Sequence, residues 1–323
     1  MNRRQCLAAM SLAAAVLAPP AWAQASFPSR PVKVVVGFPP GSATDVATRA
    51  VADAMAKRLG QPVIVENRPG AASNIAAKAV ATSPADGYTV FVGTIANAIN
   101  AAFPNSTSAD LAKDFVPVTM IGSVPNVLVA HPSLGVSSVD ELIRAAKAKP
   151  GQIAFASSGN GTSPHLSGEL FASMAGIKLL HVPYKGSTPA VTDLLGGQVQ
   201  MMFSPASTVM QHIRAGKLKA LAATSPKRLA MAPDLPTIDE LGLKGFETSV
   251  WFGFVVPPGT PRDAVSKLES ATHGALDSPE VQELFRAQGI EVVKSSPEGF
   301  SRYIGDETAK WAKVIRSSNI KPE

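Results

Sequence analysis

The chain has 323 residues and carries 30 Lys and Arg against 24 Asp and Glu, a net charge of +6. A hydrophobic fraction of 46% with 17% charged residues is the composition of a folded globular protein, which excludes a disordered or fibrous chain. So small a positive balance, with no run of five basic residues, also excludes a nucleic-acid binder.

Residues 1–4 are basic, residues 7–18 are apolar, and Ala21-Trp22-Ala23 is a small-x-small cleavage site. Residues 1–23 therefore read as a secretory signal peptide, and the remainder as an exported, soluble protein. The apolar run is shorter than the roughly 20 residues that span a bilayer. The pair Arg3-Arg4 leaves Sec and twin-arginine export both open. Cys6, the only cysteine, leaves with the signal, as do two arginines; the mature chain then carries +4 and has no thiol, disulfide or Cys-bound zinc.

Residues 32–37 form a β-branched run ended by Phe38-Pro39-Pro40-Gly41, a buried strand and a loop. Val46, Ala47, Ala50, Val51, Ala54, Met55 and Leu59 then recur at helical spacing, with Arg49, Asp53 and Lys57 four apart as solvent-side ion pairs. Gly60 ends this helix. Residues 62–66 are a second strand, Ser73 caps a helix reaching Val80, and Asp86-Gly87 turns into a strand over 88–92. A β-α-β-α-β beginning implies a parallel sheet. The apolar runs 115–121 and 127–130 are separated by residues 122–126, read as a passage between domains. A helix over 137–149 has acids in its first turn and lysines in its last, as its dipole favours. Strand 153–156, helix 162–175 and the segments 178–182, 188–195, 199–203, 206–215 and 218–223 continue the alternation as a second α/β unit. A strand over 250–256 follows, Pro261 starts a helix, and Ser296 caps the last one. Its buried stripe is Phe300, Tyr303, Ile304, Thr308, Trp311, Val314 and Ile315, expected to pack on the first unit. The domains are then 24–124 plus 248–323, and 125–247.

Two loops carry the clearest chemistry. Ser157-Ser158-Gly159-Asn160-Gly161-Thr162-Ser163-Pro164-His165 follows a strand and opens a helix, and Pro40-Gly41-Ser42-Ala43-Thr44-Asp45 does the same in the first unit. Glycines let backbone approach closely, and free N–H groups at a helix start favour an anion. Each loop is also readable as an ordinary capped turn; one in each domain would set both on one ligand in a cleft. Asp45 serves as a helix-start acid, fixes its loop, or meets a ligand ammonium. Thr162 and Ser163 are expected to donate their hydroxyls to a carboxylate. Thr94, Asn97, Tyr184-Lys185-Gly186-Ser187, Ser204 and Pro205 each follow a strand, where open α/β sheets bind ligands; Lys185 reads equally as a solvated charge. Enzyme patterns fail: Pro164 stands where a dinucleotide fingerprint needs glycine, Leu218 follows Gly216-Lys217 where a P-loop needs Ser or Thr, and no Gly-x-Ser-x-Gly elbow occurs. The five histidines have no metal-ligand spacing, and His165 and His181 read as packing residues rather than bases. No metal, cofactor or catalytic residue is expected.

Seven segments run in the order of a known family: Val-Gly-Phe-Pro-Pro-Gly-x-x-x-Asp (36–45), Val-Glu-Asn-Arg-Pro-Gly-Ala (65–71), Pro-Ala-Asp-Gly-Tyr-Thr (84–89), Ser-Ser-Gly-Asn-Gly-Thr-Ser-Pro-His-Leu (157–166), His-Val-Pro-Tyr-Lys-Gly (181–186), Asp-Leu-Leu-Gly-Gly-Gln-Val (193–199) and Trp-Phe-Gly (251–253). The chain resembles the periplasmic substrate-binding proteins of tripartite tricarboxylate transporters, the Bug family, over essentially its whole mature length. The resemblance implies a Venus-flytrap fold of the periplasmic-binding-protein type II class, two α/β domains joined by two crossing strands. It implies a small organic carboxylate held in the cleft by backbone amides, hydroxyls and water, with no enzyme activity. The candidate contacts are Pro40, Gly41, Ser42, Asp45, Ser73, Thr94 and Asn97 on one side, and Ser158, Asn160, Gly161, Thr162, Ser163, His165, Tyr184, Ser204 and Pro205 on the other. Ser42 and Ala72-Ser73 depart from the glycines usual in the family. The expected partners are the large and small membrane subunits of a transporter, or else a membrane sensor, served by a monomer; an exported hydrolase is a distant third.

Overall fold

The computed structural model describes residues 27–317, so the signal segment lies outside the described residues. Strand β1 (Val32–Val36) pairs in parallel with β2 (Val63–Asn67) and β3 (Thr89–Thr94). The crossovers are α1 (Ala43–Leu59) and α2 (Asn74–Ala81), and α3 (Ile95–Ala102) leaves β3 directly. A second parallel group contains β5 (Ala154–Ser157), β6 (Leu180–Pro183) and β7 (Met201–Pro205), with β5 between the other two. Its helices are α4 (Val139–Ala148), α5 (Ser163–Ala175), α6 (Ser187–Leu195) and α7 (Ala206–Arg214).

One strand joins the groups. β4 (Val116–Ala130) pairs antiparallel with β9 (Ser249–Val256) along its first part, and with β7 and β8 (Lys219–Ala223) along residues 126–130. The sheet order is β2-β1-β3-β9-β4-β7-β5-β6. Residues 122–126, expected as a connecting passage, are continuous strand, because Ser123, Val124 and Pro125 sit opposite Trp251, Val250 and Ser249. Gly122 serves close approach rather than a turn: a Cβ there would stand 2.8 Å from the carbonyl of Glu291, in β10 (Glu291–Val292), which pairs with β4.

The chain end returns to the first group. α8 (Arg262–Leu276) packs on α1; α9 (Pro279–Gln288) packs on α1 and α7; α10 (Pro297–Ser317) packs on α3 and β4. Of the stripe read from the sequence, Phe300, Ile304, Trp311 and Ile315 are buried and Tyr303, Thr308 and Val314 half-buried. The Arg49 guanidinium pairs with Asp45 one turn back, at 3.0 Å, rather than with Asp53. α10 is fastened by a buried polar contact: Glu307 Oε2 accepts the indole N–H of Trp251 on β9 at 2.9 Å and that of Trp311 at 3.2 Å. Both indoles are wholly buried, so neither N–H can turn to water instead. Replacing Glu307 by Ala leaves two buried donors unmatched. It should lower unfolding free energy by about 3 kcal/mol, read by urea denaturation, with a change in tryptophan emission of the folded state; a shift under about 0.5 kcal/mol would contradict this account.

Candidate functional site

Five helices, α1, α3, α5, α6 and α7, begin just beyond the carboxyl ends of the parallel strands β1, β3, β5, β6 and β7. Their starts converge: Thr44, Ile95, Ser163, Ser187 and the α7 cap Pro205 all line one small space. Val250 of β9 and Phe38 complete its apolar walls, and none of the lining residues is charged. The first N–H groups of a helix have no partner within it, and each helix adds a partial positive charge at that end. An anion fits this space without a counter-cation.

The first loop is held from behind. Asp45 Oδ2 accepts the Gly41 N–H at 2.9 Å, and Oδ1 accepts from Asn67 Nδ2 at 2.8 Å and from Arg49 Nε at 3.0 Å. Asn67 Nδ2 also donates to the Phe38 carbonyl at 3.0 Å. Burial alone would raise the Asp45 pKa, but the hydrogen bonds from Arg49, Asn67 and Gly41 outweigh it and hold the carboxyl below its ordinary range. Asp45 thus fixes its loop, one of the roles its position allows, and lines neither space. Pro40 and Gly41 are exposed and likewise line neither. Ser42 caps α1 by accepting the Asp45 N–H at 3.3 Å, which leaves its hydroxyl proton for the cavity.

The second loop is braced by side chains expected to meet the ligand. Thr162 Oγ1 donates to the Gly159 carbonyl at 2.6 Å, and Ser163 Oγ donates to the Ser249 carbonyl at 3.3 Å while accepting from Asn126 Nδ2 at 2.9 Å. Both hydroxyl protons are committed, and the Thr162 N–H also donates to the Gly159 carbonyl at 3.3 Å. His165 Nδ1 accepts the Gly161 N–H at 3.1 Å, and its ring stacks on His181 with centroids 4.0 Å apart. His165 is therefore a brace, in keeping with its reading as a packing residue, and lines neither space. Burial, with the His181 ring adding to it, pushes its pKa down to about 3.

Asn97 accepts from the backbone N–H and hydroxyl of Thr94, at 3.1 and 3.2 Å, closing the cap of α3; Thr94 lines the cavity and Asn97 does not. Ser204 is buried in β7, its Oγ unpartnered, outside both spaces. Ser158 borders the main cavity and also a larger outer chamber, where Ser73, Asn160 and Tyr184 lie. The Tyr184 hydroxyl donates to Asp193 at 2.8 Å; burial and that carboxylate push its pKa up to about 12. Ser73 begins α2 but makes no side-chain cap, because its backbone is left-handed at φ +76°. The two sides meet where Asn100 Nδ2 donates to the Gly161 carbonyl at 3.4 Å and where Gly186 packs on Pro39. A Cβ on Gly186, at φ +123°, would stand 2.8 Å from the proline ring. Sequence reasoning placed Thr44 and Ser187 in candidate loops without choosing them as contacts, and it missed Asn67, Asn100 and Asn126, whose side chains brace the loops from other elements.

The family model described as tripartite tricarboxylate transporter family receptor matches residues 47–320. Protein BugT of Bordetella pertussis is 41% identical, over 99% of this chain and 99% of its own. Two solved structures are similar: the periplasmic binding protein BugD, 34% identical with a TM-score of 0.87 over 92% of this chain and 100% of its own; and Rpa4515 of R. palustris with adipate, 37% identical with a TM-score of 0.88 over the same shares. Among the described residues no group of three or more His, Cys, Asp or Glu could hold a metal ion, and no helix is long and apolar enough to cross a membrane.

His165 gives this site a pH signature. Its pKa is about 3 when folded and near 6.5 when exposed, so the unfolded chain binds the extra proton between those values. This group's contribution is fully present above pH 6.5 and is lost as pH falls toward 3, by up to about 1.4 kcal/mol per pH unit. Urea titrations should show that slope in the wild type and a shallower one in His165→Asn; equal slopes would remove His165 from the acid response.

Proposed function

The chain belongs to the tripartite tricarboxylate transporter receptor family, and from that membership and the site geometry we propose that it captures a small organic carboxylate between its helix starts and hands it to the membrane subunits of a transporter. The observation that carries the reading is the convergence of five helix N-termini on one space without a charged wall. The carboxylate is the class of anion matched to such donors, and the similar Rpa4515 protein was solved with adipate.

The reading extends to motion and place. Residues 24–124 with 248–323 form one domain and residues 125–247 the other, closing about the crossings in β4 and the segment entering β9. Donors come from both, so the ligand gains its full set of contacts only in the closed state and selects it. The membrane subunits then distinguish loaded from empty receptor by shape. The mature protein works as a monomer in the periplasm after its signal peptide is cleaved.

The contacts follow from which donors are unengaged: backbone N–H groups of the first turns, with the hydroxyls of Ser42, Thr44 and Ser187. A hydrogen bond to a charged group contributes about 1.5–3 kcal/mol, so Thr44→Val and Ser187→Ala should each weaken adipate binding roughly 10- to 100-fold by calorimetry. Thr162→Val removes a loop brace and should lower thermal stability more than affinity. Unchanged adipate affinity in both Thr44→Val and Ser187→Ala, or chemical conversion of the bound acid, would end this reading.

A further inference from the structure

The strands of the second group point their carboxyl ends at the cavity, and their opposite ends form a separate surface. The ladder fixes its level: Ala130 at the end of β4 pairs with Met201 and Lys219, Phe155 pairs with Met201, and Ala154 pairs with Leu180. Three stretches of chain bring six basic residues there. Lys147 and Lys149 end α4, Lys178 precedes β6, and Arg214, Lys217 and Lys219 lie between the end of α7 and the start of β8. Short turns tie these stretches down: the Gly151 N–H donates to the Lys178 carbonyl at 2.9 Å, and the Lys217 N–H to the His212 carbonyl at 2.9 Å. All six basic residues are exposed, and among the described residues none makes an ion pair. Lys219 Nζ instead donates to the Ser137 hydroxyl at 3.0 Å. The acids on this side are Asp140 and Glu141 in the first turn of α4, and Glu141 Oε2 already accepts the Ser137 N–H at 2.7 Å. A positive excess therefore remains. The dipoles of α4 and α7 account for Lys147, Lys149 and Arg214 near helix ends, but not for Lys178, Lys217 and Lys219, which lie outside helices. A second feature lies beside the charge. Met174, in the last turn of α5, and Leu180, at the start of β6, flank Lys178 in the chain and are 37% and 52% exposed.

We infer that this surface rests on anionic bilayer lipid, its six cations among the headgroup phosphates and Met174 and Leu180 at the level of the first acyl carbons. Charge complementarity selects the class of partner, and the residue types select lipid over protein. Five of the six cations are lysines, whose long stems follow a fluid array of headgroups. A protein partner of fixed shape is met more often by arginine and aromatic residues, with lysine depleted. The helix starts lie at the other ends of the same strands, so a receptor resting on lipid keeps its cavity open to solution. Such an attachment is weak and exchangeable, and it concentrates the receptor beside the membrane. It does not depend on which acid the cavity takes.

The test is co-sedimentation of the mature protein with vesicles of phosphatidylcholine alone and with about one-third phosphatidylglycerol. Binding should require phosphatidylglycerol and fall at least about tenfold between roughly 0.1 M and 0.5 M salt. Each cation near an anionic surface strengthens binding about fivefold. Lys147→Gln, Lys178→Gln and Lys217→Gln combined should therefore weaken it roughly 100-fold, with thermal unfolding unchanged. Lys57→Gln, Arg262→Gln and Lys313→Gln remove the same charge from exposed positions of the first unit and should cost less than about threefold. Equal losses in the two triple variants would mean that net charge alone binds, and would overturn the assignment of this surface. Met174→Ser with Leu180→Ser should weaken binding about three- to tenfold; no change would remove the apolar part of the contact. Protein that stays in the supernatant with both vesicles overturns the inference and turns the search to an acidic protein face. Adipate affinity by calorimetry should be the same in every variant, whatever its value in the wild type, so failure here and failure of the carboxylate reading are separate results.

Discussion

Everything in this molecule hangs on β4. A strand of 15 residues that pairs with β9 along its first part and with β7 and β8 along its last sets the register of both halves of the sheet at once. Parallel groups on either side then present their carboxyl ends, and hence their helix starts, to one place between them. The alignment would be lost if residues 122–126 were a flexible loop, because each half could then slide by a residue and turn its side chains to the other face. Their ladder pairing with β9 prevents this. The Gly122 approach to β10 and the buried Asn126, which donates to Ser163 and Ser167 at 2.9 and 3.3 Å, tie the same stretch to a third strand and to α5.

An anion site made of backbone N–H groups needs stiffness more than charge. A side-chain cation can move toward its partner, whereas a helix start must already point at it. The polar residues nearest the cavity accordingly act on the loops. Asp45 with Arg49 and Asn67 clasps the Phe38–Gly41 turn from outside, and His165 with Thr162 clasps Gly159 and Gly161. Both braces are acceptors for backbone N–H groups, and both keep the required charge state over ordinary pH: the Asp45 carboxylate ionised, the His165 ring neutral. Neither brings a net charge to the cavity wall, since Arg49 offsets Asp45 behind the loop.

The alternation of strands and helices, the two glycine-containing loops and the buried stripe of α10 were legible because each depends on local periodicity and cap chemistry. The family resemblance was legible because its seven motifs run in order along the chain, two of them in those loops. Three kinds of feature were not. Residues 122–126 carry Gly and Pro, which mark turns in isolation, yet pairing with a distant strand overrides that tendency. Helix α3, at eight residues without a charged side chain or a terminal glycine, shows little that separates it from a continued loop. Packing for His165 and loop-fixing for Asp45 were legible, but which backbone groups Asp45, Thr162, Ser163 and His165 serve was not. A polar residue at a helix start reads as a ligand contact until one knows which backbone groups its side chain already serves, and those groups come from elements far away in sequence, such as Asn67 and Ser249.

The two places where this chain departs from the glycines usual in its family are best understood together. Ser42 stands at the inner cavity, where its oxygen caps α1 and its proton remains for a ligand, so a side chain in place of glycine strengthens the helix and adds a donor. Ala71, Ala72 and Ser73 stand at the outer chamber, where left-handed backbone would be easier for glycine. Non-glycine residues in that conformation cost stability, and no side-chain cap is gained in return, because Ser73 leaves the N–H groups of α2 unserved. The first departure has a structural explanation as well as a functional one; the second has no structural benefit in the hydrogen bonds around it. The backbone cost at Ala71, Ala72 and Ser73 is therefore not offset by a cap, whereas the side chain at Ser42 caps its helix.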